Sequence, residues 1–324
     1  MAATFSPGPD FPQAPLEART EGEAKPEYLM CSPRYFDTHF LFNPWMTFRE
    51  RVNRHKATRQ WRDLRRALEQ AGAIVRSIDP QPDSSAMIFT ADAALVLGEH
   101  VVLLTNDGPR GDIEPPLFRH WFSLNGYISE SLPGSRLDGG NLVRLHDGSF
   151  AVGLKPGASG KAEAYLRKRI ALTERRDLKP IGLVDRRYLH LDMVLGNVGN
   201  RLYIAYEDAL YGGRSALPSI VKESEMIFIG KADAEAFAAN LITIGDVVLT
   251  GKLSLALKKE LTSHHFWVEE LPLGEFYKAG GGAKCLTLPL RARRGGFNEK
   301  DENQPGSRGS AVERQTGREI QAPI

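Results

Sequence analysis

The stretch MIFTADAALVLGEHVVLLT, residues 87–105, decides the fold. Its two apolar runs, on either side of Gly98 and Glu99, are rich in valine, leucine and alanine. Short apolar runs broken by a glycine turn read as two adjacent strands. A single acid, Asp92, stands just ahead of the first run. Three further segments share this hairpin character: LDGGNLVRLHDGSFAVGL from Leu137, YLHLDMVLGNVGNRLYIAY from Tyr188, and ANLITIGDVVLTG from Ala239. A single strand in the same manner follows in AGGGAKCLTLPL from Ala279. The openings of the five units fall at Asp92, Asp138, His190, the neighbourhood of Asn240, and Cys285, with steps of 46, 52, 50 and 45 residues. A recurrence of this kind marks repeated supersecondary units.

Between the hairpins lie helical segments such as KAEAYLRKRIAL, ADAEAFAAN and LSLALKKELT. Ahead of them, TRQWRDLRRALEQAG places Trp61, Leu64 and Leu68 at helical spacing and stops at Gly72, and AIVRSI follows as a strand. The fold class is therefore α/β, made of strand–turn–strand–helix repeats. If equivalent strand starts converge on one axis, Asp92, Asp138, His190 and Cys285 meet in a central site. The alternative is that four polar residues stand at strand starts by chance.

Composition narrows the functional classes. The chain has 324 residues, 42% of them apolar, enough for a sizeable core. No apolar stretch approaches the roughly 18 residues of a membrane span, and the N-terminal segment has neither the basic start nor the apolar centre of a signal peptide. A cytoplasmic protein with no membrane partner is expected. Two cysteines, Cys31 and Cys285, cannot build a disulfide framework. The net charge of +2 is matched by the excess of basic over acidic residues in the tail from Arg291, so the rest of the chain is balanced and gives no electrostatic case for nucleic acid. Residues 1–27 and 294–324 are poor in apolar side chains and read as disordered, which leaves 28–293 as the folded catalytic domain.

A thiol and a histidine at matching repeats read as nucleophile and acid/base. An imidazolium nearby favours the thiolate. Several carboxylates beside such a pair suit a cationic substrate group, and a planar guanidinium can donate to carboxylates in pairs. The paired histidines His264 and His265 lack metal-ligand spacing, so they read as surface residues and no metal or cofactor is expected. GGGAK lacks the Ser/Thr and the helix of a phosphate loop. Cys31 reads as a core thiol, and Trp45 within NPWM as packing near a site mouth.

Five segments, MCSPRYFDTHFLFNPWM, FTADAALVLG, LDGGN, HLDMV and GGGAKC, occur in register from Tyr28 to Leu290. Together they resemble the guanidine-modifying, or pentein, superfamily of arginine deiminases, dimethylarginine dimethylaminohydrolases, arginine dihydrolases and amidinotransferases. The resemblance implies a five-bladed α/β propeller of ββαβ units. It implies that Cys285 attacks the guanidinium carbon, that His190 protonates the leaving amine and then activates water, and that Asp138 holds the guanidinium and orients His190. Asp92 and Asp192 would be the guanidinium clamps; on a strand, residues two apart such as His190 and Asp192 face the same side.

Departures from the family pattern concern the rest of the substrate. Asn141 replaces the acid that usually ends the GGD motif. Ser85 and Ala86 stand where dimethylarginine hydrolases carry an Asp for an α-amino group. Lys155 stands near the usual arginine for an α-carboxylate, and Arg110 is the other candidate for that carboxylate. Arginine dihydrolases read FTAN where this chain has FTAD, so Asp92 implies one hydrolysis rather than two. The expected function is Cys-dependent C–N hydrolysis of a guanidino compound related to arginine. Amidino transfer to an amine is the alternative, and a non-catalytic propeller of the ribosome-associated kind is a third reading. Self-association into a homo-oligomer stays open.

Overall fold

In the computed structural model of the protein, the residues described are 24–38, 44–46, 50–105, 111–134, 136–155, 160–199, 201–221 and 226–290. The proposed disordered segments 1–27 and 294–324 lie almost wholly outside them. Only Ala24 to Glu27 are described, and Glu27 already opens the first strand.

Strand β1 (Glu27–Cys31) is followed by helix α1 (Arg54–Gln70) and strand β2 (Ile74–Ile78), which runs parallel to β1. The helix starts where the Asn53 side chain accepts from the Lys56 amide, at 3.0 Å. It buries Ala57, Trp61, Leu64 and Leu68 along one stripe. Each fully buried Leu is worth about 1.5–3 kcal/mol. The helix ends before Gly72, whose φ of 91° suits a residue without a Cβ.

The quoted stretch forms the antiparallel pair β3 (Ala94–Leu97) and β4 (His100–Leu103), then helix α2 (Glu114–Leu124) and strand β5 (Ile128–Ser131) parallel to β4. The next unit repeats this order with β6 (Leu142–Arg144), β7 (Phe150–Leu154), α3 (Gly160–Glu174) and β8 (Leu178–Gly182). The third hairpin is β9 (Leu195–Gly199) with β10 (Leu202–Ala205), and β11 (Met226–Phe228) lies parallel to β10. Here a 3-10 segment, Gly213–Ser219, stands in the connection, in a stretch that contains Gly212, Gly213 and Pro218. Proline removes a helical donor and clashes with the preceding turn.

A short helix, α4 (Lys231–Glu235), leads to β12 (Ile242–Ile244), β13 (Val247–Thr250), α5 (Leu255–Ser263) and β14 (Trp267–Glu270). The chain closes with α6 (Gly274–Tyr277) and β15 (Leu288–Leu290). Strand β15 pairs antiparallel with β1, Leu288 opposite Leu29. The fifth sheet is thus β15–β1–β2, assembled from both ends of the chain. The described residues form five three-stranded sheets, each with one antiparallel and one parallel pairing, the five-bladed ββαβ architecture expected from the sequence. The core lies between blades and under the helices. The strands nearest the centre are buried, with Leu195, Val198 and Leu97 at 1% exposure or less. No helix among the described residues is long and apolar enough to cross a membrane.

Candidate active site

Four of the five sheets are entered through a 3-10 turn: Thr90–Asp92 before β3, Gly139–Asn141 before β6, Leu191–Met193 before β9 and Lys284–Leu286 before β15. The turn at Thr90–Asp92 packs on those at Gly139–Asn141 and Lys284–Leu286, and Gly139–Asn141 packs on Leu191–Met193. The remaining sheet, β12–β13–β14, opens at Asn240, two residues ahead of β12, and Asn240 touches both Asp192 and Cys285. The openings therefore do converge, and the residues that carry chemistry meet there.

His190 stands at the centre of the acids. Its Nε2 lies 2.9 Å from Asp138 Oδ2, and its Nδ1 lies 3.6 Å from Asp92 Oδ1. Asp92 Oδ1 also accepts the Gly140 amide at 3.0 Å. A Cβ at Gly140 would sit 2.6 Å from His190 Nδ1 and 2.9 Å from Asp92 Oδ1, so any larger residue must displace those side chains. Asp192 differs from the strand-based expectation. It lies in a 3-10 turn that follows the extended His190, not in a strand, and it still acts on both His190 and Cys285. It has no exposed surface, and its Oδ2 accepts from Lys284 Nζ at 2.8 Å, while Oδ1 is buried without a partner.

Cys285 belongs to the Lys284–Leu286 turn rather than to β15, and it is 3% exposed. Its amide donates to Asn240 Oδ1 at 3.1 Å, and Asn240 Nδ2 donates to its Sγ at 3.1 Å. Asp192 Oδ2 lies 3.9 Å from Sγ. The glycines of GGGAKC now have a reason: a Cβ on Gly282 would come within 2.8 Å of Asn240 Oδ1, and one on Gly281 within 2.2 Å of the Phe89 ring. The backbone must pass that close for the sulfur to reach the centre.

The electrostatics follow from burial among carboxylates. Burial, helped by Asp138 and Asp192, pushes Asp92 up to about 7, against the pull of His190 and the Gly140 amide. Burial alone would lower His190, but Asp92 and Asp138 outweigh it and raise the imidazole to about 9. His190 is thus an imidazolium at neutral pH. Burial also pushes the Cys285 thiol well above its usual value, reinforced by Asp192 and Asp92, with Lys284 and the Gly282 amide opposing. The Lys284 ammonium is raised: burial works against it, and Asp192 prevails. A cation arriving among these acids would favour the thiolate, and the imidazolium has a proton to give.

Arg110 is outside the described residues. Lys155 is exposed just past the end of β7. Asn141 is buried, with Oδ1 unpartnered. Ser85 is buried in a 3-10 turn. Cys31 has no exposed surface in β1, and burial pushes its thiol up to about 12. Trp45 donates to the Arg187 carbonyl at 2.6 Å and packs against Phe237. His264 and His265 follow the end of α5, with His264 3.8 Å from Glu260. No cluster of His, Cys, Asp or Glu among the described residues could hold a metal ion. Lys284 and Asn240 were not among the sequence candidates. The available signals were the adjacency of Lys284 to the thiol and the place of Asn240 at the fourth repeat.

No protein-family model matches the chain. Among curated proteins, it is 35% identical over 267 residues to the bifunctional arginine dihydrolase/ornithine cyclodeaminase AgrE of Nostoc sp., covering 81% of this chain and 37% of that one. It is 24% identical over 264 residues to the N(G),N(G)-dimethylarginine dimethylaminohydrolase of Mycobacterium tuberculosis, covering 81% of this chain and 85% of that enzyme. The chain thus spans little more than a third of the length of its bifunctional relatives. Among solved structures, the product-bound N-terminal domain of ArgZ, an arginine dihydrolase of cyanobacteria, superposes with a TM-score of 0.76 at 30% identity, covering 82% of this chain and 97% of that domain.

Proposed function

Because the chain belongs to the guanidine-modifying, or pentein, superfamily, we propose that it is a hydrolase of the guanidino group of an arginine-like compound. The observation that carries this reading is the packing of the Cys285 thiol, the His190 ring and the carboxyl groups of Asp92, Asp138 and Asp192 at one centre.

The guanidinium donates to Asp92 and to the unpartnered Oδ1 of Asp192, with charge-assisted bonds that hold its plane. The Cys285 proton passes to solvent as the cation binds, and the sulfur adds to the guanidinium carbon and forms a C–S bond. His190 gives its proton to the departing nitrogen as the C–N bond breaks, and an amine leaves. Neutral His190 then takes a proton from water as the water oxygen adds to the thiouronium carbon. The C–S bond breaks with its electron pair on sulfur, the adduct's hydroxyl proton passes to solvent, and the thiolate is restored with a ureido product. Asp138 holds the His190 ring throughout. The charge at Asp92 supports one hydrolysis rather than two. Both cysteines are free thiols, which suits a reducing cytoplasm.

The test is a panel of guanidino compounds in ¹⁸O-water, read by mass spectrometry. One ¹⁸O in a ureido product, an adduct on Cys285 after acid quench, and loss of both in Cys285→Ser are expected, since a hydroxyl at its ordinary pKa supplies no anion. Wild-type turnover in Cys285→Ser would reject the covalent route. Acceleration by an added amine, with an amidino product on that amine, would assign transfer instead of hydrolysis.

A further inference from the structure

We propose that Asn240 is a positioning residue for Cys285: its side-chain amide fixes the place of the sulfur and donates a hydrogen bond that favours the anionic form. The inference rests on Cys285 being the nucleophile of the proposed reaction.

Asn240 has no exposed surface, and its side chain makes three hydrogen bonds. Oδ1 accepts the Cys285 amide at 3.1 Å, and Nδ2 donates to the Asp192 carbonyl at 3.3 Å and to Cys285 Sγ at 3.1 Å. The orientation of the amide follows from its backbone partners. The Cys285 N–H can only donate, so the oxygen must face it. The Asp192 carbonyl can only accept, so the nitrogen must face that. Both demands agree, and they leave an N–H group directed at the sulfur.

That donor acts against its surroundings. Asp192 and Asp92 face the sulfur with negative charge, and Asp192 Oδ2, 3.9 Å from Sγ, suits a thiol S–H. Lys284 and the Gly282 amide act the other way, though the Lys284 ammonium is held at Asp192. A hydrogen bond to an ionised acceptor is roughly twice as strong as a neutral one. The Asn240 contact therefore strengthens when the proton leaves, which is when Asp192 becomes repulsive. The two bonds to a single residue's N–H and sulfur also hold Cys285 in one rotamer before attack. Gly282 leaves room for this arrangement, since any Cβ there would meet Asn240 Oδ1.

The measurement is the rate of Cys285 alkylation by iodoacetamide from about pH 6 to about pH 10, with the Cys285 peptide identified by mass spectrometry so that Cys31 does not contribute. Asn240→Asp keeps the shape and the acceptor but loses the donor, and Asn240→Ser loses the amide without adding charge. Both should raise the midpoint of the alkylation profile, and both should lower kcat on a guanidino substrate about tenfold to a hundredfold. KM should stay within about twofold, since Asn240 holds the sulfur and not the substrate. Circular dichroism establishes which variants are folded: a raised midpoint in folded Asn240→Ser supports the proposal, and an unmoved midpoint in either folded variant counts against it. An unmoved midpoint in folded Asn240→Ser overturns the proposal, because a shift confined to Asn240→Asp comes from added charge. A raised midpoint in a protein whose wild type turns over no guanidino compound supports the sulfur contact and rejects the substrate assignment instead.

Discussion

Lys284 Nζ lies 2.8 Å from Asp192 Oδ2, and Asp192 has no exposed surface. The residue just before Cys285 thus supplies the counter-ion of the most deeply buried acid in the site. A buried carboxylate without a partner is costly, so breaking this pair should be strongly felt. Lys284→Met should lower unfolding free energy by about 3 kcal/mol. Urea denaturation measures it, and combining Lys284→Met with Asp192→Asn should cost much less than the two changes added. Additive losses would show that the pair is not coupled.

His190 is the proton donor in the proposed reaction, held by Asp138 at 2.9 Å. Replacing a general acid typically costs about 10²–10⁴-fold in rate. His190→Asn should lower kcat within that range. In the wild type, the donor form is lost as pH rises through about 9, so kcat should fall on that limb. A kcat unchanged in His190→Asn would remove His190 from the chemistry.

Asp92 carries a second pH dependence. Its folded value, raised from 3.8 to about 7, lies above the unfolded one, so folding takes up a proton. The stability this gives is complete below 3.8 and is lost as pH rises through about 7. His190 adds a later loss in the same direction, complete below 6.5 and gone above about 9. Tm of the ligand-free protein should therefore fall over this window, and Asp92→Asn should flatten its lower part. A guanidinium needs the carboxylate, so affinity for a guanidino ligand should rise with pH through about 7 and lose that rise in Asp92→Asn. The substitution should weaken binding by about 1.5–3 kcal/mol, measurable by calorimetry. It should also add a doubly hydrolysed product, seen by mass spectrometry.

Gly140 sets the distance between His190 and Asp92. A Cβ at this position would press on both side chains, at 2.6 Å and 2.9 Å. Displacing a reacting group by about 1 Å can cost a hundredfold. Gly140→Ala should lower kcat at least tenfold while the far-UV circular dichroism stays native. Retained wild-type activity would show that the ring of His190 has room to move.

The repeat itself was legible because hairpins are local. Alternating apolar runs, turn glycines such as Gly98 and a regular recurrence of polar openings all lie within short stretches of chain. Asp92, Asp138, His190 and Cys285 stood out for the same reason: each opens a unit with a chemically capable side chain. The places where the reading failed are those where local periodicity carries no information. The openings are 3-10 turns, so strand alternation is not what brings His190 and Asp192 to one centre. Helix formation between β10 and β11 gave way to Gly212, Gly213 and Pro218.

By itself, then, the sequence determined the α/β class, the number of units and the four polar residues that open them, since propensity and spacing act between near neighbours. Only the tertiary structure decided that β1 completes a sheet with β15, which joins Leu29 to Leu288 across the chain. It alone brought Asn240 against the sulfur and Lys284 against Asp192. Those partnerships arise when closure of the ring removes water from the centre. A buried acid then needs a cation, a buried amide needs matching donors and acceptors, and which residues supply them depends on where the chain has been folded to meet itself.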